Sequence, residues 1–176
     1  SENSVLQDWK GPYGGVPAWN EVKVSDFPAA FQKMMDDGKA EIEAILSNPE
    51  RATFENFVVP MELAGGKANE LFSIWGVHGS NLSSEEVRKI QGEWLPKVGA
   101  FYNEIQLDPR LFAKYKEVYE GREAAGLDAQ QTRLVTREYE SLVRNGALLE
   151  GEQKTKLIEL NTELSKQFNA FSNKVL

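Results

Sequence analysis

The sequence predicts an all-α fold, an irregular bundle of about six helices preceded by an extended N-terminal strap. Three observations predict it. Apolar residues recur at steps of three and four along six stretches. Serine, threonine or aspartate cap signals open most of these stretches, and glycine or proline closes them. Nowhere does the apolar–polar alternation of a half-buried strand persist.

Residues 1–23 read as the strap. Gly11-Pro12-Tyr13-Gly14-Gly15-Val16-Pro17 supplies turn formers without helical period, while Val5, Leu6, Trp9, Tyr13, Val16 and Trp19 are apolar enough to lie on a surface. The remainder, residues 24–176, reads as one helical domain. Its first helix opens at Ser25 as N-cap, tolerates Pro28 in its first turn and runs to about Leu46. Phe27, Phe31, Met34, Met35, Ile42, Ile45 and Leu46 form its stripe, and Ser47-Asn48-Pro49 stops it. The second opens at Thr53 and carries Phe57, Val58, Met61, Leu71, Phe72, Ile74 and Trp75, with a kink or break expected at Pro60 and Gly65-Gly66.

For the third helix, Ser83 with Glu86 predicts a capping box, and Leu82 with Val87 a hydrophobic staple. Ile90, Trp94, Val98, Phe101, Tyr102 and Ile105 continue past Pro96, where a bend is expected. Asp108-Pro109 starts the fourth, which buries Leu111, Phe112, Tyr115, Val118 and Tyr119 and ends between Gly121 and Gly126. Asp128 and Gln131 make the capping box of the fifth, which runs through Leu134, Val135, Tyr139, Leu142 and Val143 to a left-handed end at Asn145-Gly146. The sixth runs from about Gly151 to the last residue on Leu157, Leu160, Leu164, Phe168, Phe171 and Val175. It meets no stop signal, which reads as a helix cut short or one whose partner lies elsewhere.

Composition narrows the chemistry. The chain has 176 residues, no cysteine and a single histidine, His78. That leaves no disulfide framework, thiolate metal site or cysteine nucleophile, and no H-E-x-x-H or multi-histidine zinc centre within these residues. A net charge of −7, with basic residues interleaved among acidic ones, is the opposite of a nucleic-acid footprint. No apolar run reaches the roughly 20 residues of a membrane span.

The remaining candidates have plain structural readings. His78 lacks partners for catalysis or metal binding and reads as a capping or surface group. Asp36-Asp37 and Glu85-Glu86 could meet a cation, but neighbours on a helix diverge by about 100°. Glu85-Glu86 also lies in a first turn, where acids suit the helix dipole. Gly14-Gly15 and Gly65-Gly66 lack the flanking strand and Gly-Lys-Ser/Thr of a phosphate loop, and no Gly-x-Ser-x-Gly elbow is present. The aromatic residues fall at helical spacing, as core packing requires. From the residues, therefore, no catalytic or metal position is expected in the chain.

The order of particular segments goes further. Gly11-Pro12-Tyr13-Gly14-Gly15-Val16-Pro17 precedes Val24-Ser25-Asp26-Phe27, and Ala40-Glu41-Ile42-Glu43-Ala44-Ile45 leads to Asn48-Pro49 and Thr53-Phe54-Glu55-Asn56. Then follow Leu107-Asp108-Pro109-Arg110-Leu111-Phe112, Gly126-Leu127-Asp128, Arg144-Asn145-Gly146-Ala147 with Leu149, Gln167-Phe168-Asn169 and Phe171-Ser172-Asn173-Lys174-Val175-Leu176. In this series the chain resembles the N-terminal region of the thimet oligopeptidase family of zinc metallopeptidases, among them the bacterial peptidyl-dipeptidases (dipeptidyl carboxypeptidases). It departs from the family around Gly65-Gly66 and Trp75-Gly76-Val77-His78.

The resemblance implies a part of a larger clam-shaped helical enzyme, in which this segment builds a wall of a narrow channel that admits short peptides. It leaves the compartment, bacterial cytoplasm or periplasm, unassigned. It also implies that zinc, an H-E-x-x-H helix and a further glutamate belong to the rest of the parent protein, so that this chain alone is inactive and its partners are short peptides and the catalytic portion. Self-association through the unpaired stripe of the last helix is a further expectation. The rival reading is a stand-alone helical interaction or oligomerisation module without enzymatic activity.

Overall fold

A computed structural model describes residues 3–6, 22–81 and 84–175, the side chains of 77–81, 168, 169 and 171–175 excepted. Six α-helices and no strand occur among the described residues: α1 Phe27–Leu46, α2 Val59–Asn81, α3 Glu85–Gln106, α4 Pro109–Gly121, α5 Ala129–Arg144 and α6 Gly151–Val175. A 3₁₀ turn, Val24–Asp26, leads into α1, and a π-helical turn, Phe54–Val58, leads into α2. The chain groups into two compact units, residues 1–48 with 59–99, and residues 49–58 with 100–176.

In the first unit α1 packs on α2. The phenylalanines of the α1 stripe explain the pairing: Phe27 and Phe31 are fully buried. Phe27 meets the Trp75 ring edge-on at 4.7 Å. Phe31 meets Trp75 at 5.6 Å, Phe72 at 5.9 Å and Trp94 of α3 at 6.4 Å. Each such side chain contributes about 1.5–3 kcal/mol through apolar burial, and ring geometry adds to that. Val5, Val22, Ala30, Leu46, Ala68, Leu71, Ile74, Val87, Ile90 and Val98 are buried with them, while Asp36, Asp37, Lys39 and Glu43 face water as expected.

The second unit centres on α4 packed against α5. Its core holds Ala52, Phe57, Val58, Leu111, Tyr115, Val118, Val135 and Leu142. Phe57 meets Tyr115 edge-on at 4.7 Å. The same segment is tied to α4 by the Ala52 N–H, which donates to the Glu117 carboxylate at 2.7 Å. Phe112 and Tyr119, expected in the core, are half-buried instead. Both stack on Tyr139, at 5.7 Å and 4.4 Å, along the α4–α5 seam.

The caps test the local reading. Asp128 and Gln131 form the expected reciprocal box, each side chain accepting from the other's backbone N–H. Asp108 accepts from the Arg110 N–H at 2.8 Å, with Pro109 at the first helical position. Thr53 and Asn56 bond reciprocally, but the turn they close is π-helical rather than α.

Two starts differ from expectation. Ser25 lies inside the 3₁₀ turn and does not cap α1; Asp26 holds the N-cap position, and its carboxylate is drawn away to Ser4. The α3 cap is Ser84, whose hydroxyl accepts from the Val87 N–H at 3.2 Å, so Glu86 does not sit three residues after the cap. Ser83 and Leu82, of the expected box and staple, lie outside the described residues.

One interruption differs as well. α2 continues without a break through Gly65-Gly66, whereas α3 runs on past Pro96 as expected. The break expected in the second helix falls ahead of it, where the π turn absorbs the register change before Pro60. At the far end, Gly146 takes φ +93° as the left-handed terminator of α5, and Gly151 takes φ +58° at the start of α6.

α6 has little support along its length. Leu157 is half-buried, whereas Leu160 and Leu164 are each 66% exposed, and Leu148 before the helix is 62% exposed. Its first turns are held by the Lys154 ammonium, which donates to the Leu107 carbonyl at 2.8 Å. The expected stripe members Phe168, Phe171 and Val175 have side chains outside the described set.

Candidate functional site

The residues singled out as possible ligands or catalysts do not converge. Asp37 pairs with Lys33 at 2.7 Å and Asp36 accepts from the Gln32 amide at 3.0 Å, both within one exposed face of α1. Such i, i+4 pairs stabilise a helix by a few tenths of a kcal/mol, about 0.2–0.5. Glu85 and Glu86 are exposed in the first turn of α3, where their charge complements the helix dipole. The His78 side chain lies outside the described residues, as do Gly14-Gly15. Among the described residues no group of three or more histidine, cysteine, aspartate or glutamate side chains could hold a metal ion. None of their helices is long and apolar enough to cross a membrane.

Titration behaviour leads to the same place, since each displaced group has a structural cause. At the entry to α1 the Ser4 hydroxyl donates to Asp26 at 2.6 Å and its backbone N–H donates to the same oxygen at 2.9 Å. These two bonds, the hydroxyl first, hold the Asp26 carboxyl below the usual carboxylate range. The Ser4 oxygen in turn accepts from the Lys23 N–H, and the Asn3 amide donates to the Asp26 carbonyl. Residues 3–6 are thereby fastened to the start of α1, with Val5 buried and Leu6 41% exposed. The remaining strap residues, Trp9, Tyr13, Val16 and Trp19 among them, lie outside the described residues.

Asp108 is also lowered, by the Arg110 guanidinium first and the Arg110 N–H after it. Lys67 is raised by its 2.6 Å bond to Glu41 on the surface. Burial pushes the Tyr102 phenol up. Hydrogen bonds at helix starts, a surface ion pair and a half-buried phenol account for all four.

A pH prediction arises from Asp26. Its folded pKa is depressed, so the stability it contributes is whole above the unfolded value of about 4 and is lost as pH falls through the lowered folded value. Ser4→Ala should raise the Asp26 carboxyl titration seen by NMR part of the way to its ordinary value, the backbone bond remaining. An unchanged titration would show that the hydroxyl does not set it.

Two long-range polar ties were not visible in the sequence, Glu117 to Ala52 and Lys154 to Leu107. Nor was a local one, Arg122, which caps the Tyr119 carbonyl at 2.6 Å while its guanidinium lies 4.1 Å over the Tyr119 ring. Phe112, Tyr139, Tyr119 and Arg122 form a connected series of ring contacts. It is packing, as the helical spacing of the aromatics implied.

Comparison with known proteins supplies what the geometry does not. Residues 31–154 match the family model described as Neurolysin/Thimet oligopeptidase, N-terminal domain. Over 176 residues, all of this chain, it is 28% identical to a dipeptidyl carboxypeptidase of Salmonella typhimurium, of which it covers 26%. It is 30% identical over 156 residues to a dipeptidyl carboxypeptidase of Escherichia coli, an alignment of 87% of this chain and 23% of that protein. To an oligopeptidase A of Haemophilus influenzae it is 24% identical over 162 residues, 92% of this chain and 24% of the other. The chain thus spans about a quarter of the length of these relatives.

Proposed function

The chain belongs to the neurolysin/thimet oligopeptidase family through that family's N-terminal domain, and from this we propose that it is the N-terminal helical portion of a zinc-dependent peptidase acting on short peptides. In this reading it forms part of the wall of the substrate channel, and zinc and its ligands come from the remainder of the protein. The match over residues 31–154 carries the proposal. The described residues do not fit a zinc site, since no cluster of ligating side chains exists among them, and no catalytic step is assigned to them. The relatives' names favour release of dipeptides from peptide C-termini as the parent activity.

The test has two arms. The chain purified alone with zinc ions should turn over no quenched short peptide, and turnover that a chelator abolishes would overturn the assignment of chemistry to another part of the protein. The reading frame after Leu176 supplies the second arm: a frame that continues to an H-E-x-x-H motif supports the enzyme, and a stop codon supports the interaction module. The exposed leucines at 148, 160 and 164 are the observation that keeps that module in view.

Under the enzyme reading these leucines pack on the remainder of the protein. The isolated chain should then self-associate at high concentration and bind an apolar dye. Leu160→Glu with Leu164→Glu should restore a monomer by light scattering. A parent chain that is already monomeric and binds no dye would count against a covered α6 face.

A further inference from the structure

We propose that α3 carries a built-in hinge between Gly92 and Gly99, so that the helix is two segments joined by a stretch that opens, rather than one rigid rod.

Three residues in eight work against helix there. Pro96 lies inside α3 and has no N–H to donate to the Gly92 carbonyl, and its ring crowds the preceding turn. It also disfavours the helical conformation of Leu95 before it. Gly92 and Gly99 stand four residues before and three after the proline, and glycine in a helix interior leaves the backbone freer than any other residue does.

No contact requires either glycine. A Cβ built at Gly92 or at Gly99 meets nothing within 4 Å, and neither takes a positive φ. Gly146 is the contrast, with positive φ and a Cβ position 2.4 Å from Leu157. Where neither close approach nor backbone conformation demands glycine, the property left is freedom of the backbone.

Apolar packing is sparse here, and the surface ties, Lys97 to Glu93 at 3.4 Å and Lys97 over the Trp94 ring at 4.2 Å, are worth little where exposed. Glu93, Pro96, Lys97, Gly99 and Ala100 are exposed and Leu95 is 37% exposed. Only Val98 is buried in the stretch, with Trp94 half-buried against Phe31. The preceding turns, by contrast, are fixed by buried Val87 and Ile90.

The stretch also ends where the backbone passes between the two compact units. The backbone passes from one compact unit to the other at 48–49, 58–59 and 99–100. Pro49, Pro60 and Gly99 stand at or next to these three crossings. Local opening of such a stretch is the expected behaviour of a segment with exposed backbone and few buried apolar groups.

The chain has no cysteine, so Lys89→Cys with Asn103→Cys gives a uniquely labelled pair on exposed α3 positions. A straight helix would hold these Cα atoms about 21 Å apart, at 1.5 Å per residue. Spin-label distance measurements on the full chain should give a broad or two-peaked distribution. Adding Gly92→Ala, Pro96→Ala and Gly99→Ala should collapse it to one narrow peak, and should slow amide exchange across 93–100 at least tenfold, to the level of the α3 flanks.

Gly65→Ala with Gly66→Ala in α2 should leave the α3 distribution as broad as before, and far-UV circular dichroism should show each variant helical. A narrow single peak in the parent chain would overturn the hinge. So would a broad distribution that the triple substitution leaves unchanged, or one that the α2 control narrows equally.

Discussion

Replacing Phe31 with alanine should cost the first unit about 3–5 kcal/mol, the range for losing a fully buried phenylalanine together with the cavity it leaves. The upper part of the range is expected because four aromatic rings surround the site. Phe27, Phe72, Trp75 and Trp94 all lie within 6.4 Å of the Phe31 centroid, and rigid rings collapse poorly into a void. Small domains hold only about 5–15 kcal/mol in all. Denaturant unfolding followed by tryptophan fluorescence reads the loss directly, since Trp75 and Trp94 line the cavity. Phe31→Leu should lose less than half as much. A midpoint for Phe31→Ala within error of the parent would mean that this aromatic cluster does not hold α1 to α2.

The second large effect is expected at Gly146, where two demands meet. Its φ of +93° is outside the region L-residues occupy comfortably, at a cost of about 1–3 kcal/mol for a side chain there. A Cβ would also stand 2.4 Å from a Leu157 methyl and 3.1 Å from one of Leu149. Those are ends of flexible side chains, so they move, but in moving they loosen the start of α6. Gly146→Ala should therefore lower the stability of the second unit by about 2–3 kcal/mol. Gly126→Ala, at φ +66° with open space around it, should cost only about 1–2 kcal/mol. Thermal unfolding of the two variants side by side separates backbone strain from crowding, and equal losses would remove crowding from the account.

Much of the fold was legible because it is written locally. Caps such as Asp128 with Gln131 and Asp108 before Pro109 act over three residues, and the left-handed stop at Gly146 acts over one. Stripes such as Phe27–Phe31 repeat within a single helix. At the start of α1 and within α2, where reading and structure parted, contacts beyond the first turn are involved. Asp26 displaced Ser25 as the first residue before α1, while Ser4, twenty-two positions away, engaged its carboxylate. α2 runs on through Gly65-Gly66 because buried Ala68, Leu71, Ile74 and Trp75 hold it from the other side. Tertiary packing overrides propensity in this way wherever a helix has a well-covered face.

The candidate site was legible in a different sense. One histidine and no cysteine leave little to assemble a metal centre from, and several of the acids, Asp37, Glu41, Asp108 and Asp128 among them, are engaged in caps or surface pairs. The family could not be read from periodicity or charge at all. It rested on the ordered run of short segments, and the family-model match over residues 31–154 bears that resemblance out. Ties such as Glu117 to Ala52 leave no local trace, because neither partner's neighbours reveal the other.

That last tie constrains the order in which the chain acquires structure. Residues 49–58 are made between the two halves of the first unit, yet their partners are on α4, and the Ala52–Glu117 bond joins positions 65 apart. The first unit needs only to loop out this ten-residue segment, a modest closure entropy, and it has all its residues once position 99 has left the ribosome. Phe57 must wait for Tyr115 to be synthesised. During synthesis the residues of the first unit are therefore all present while Phe57 still lacks Tyr115, and contacts of such sequence separation are the slow ones.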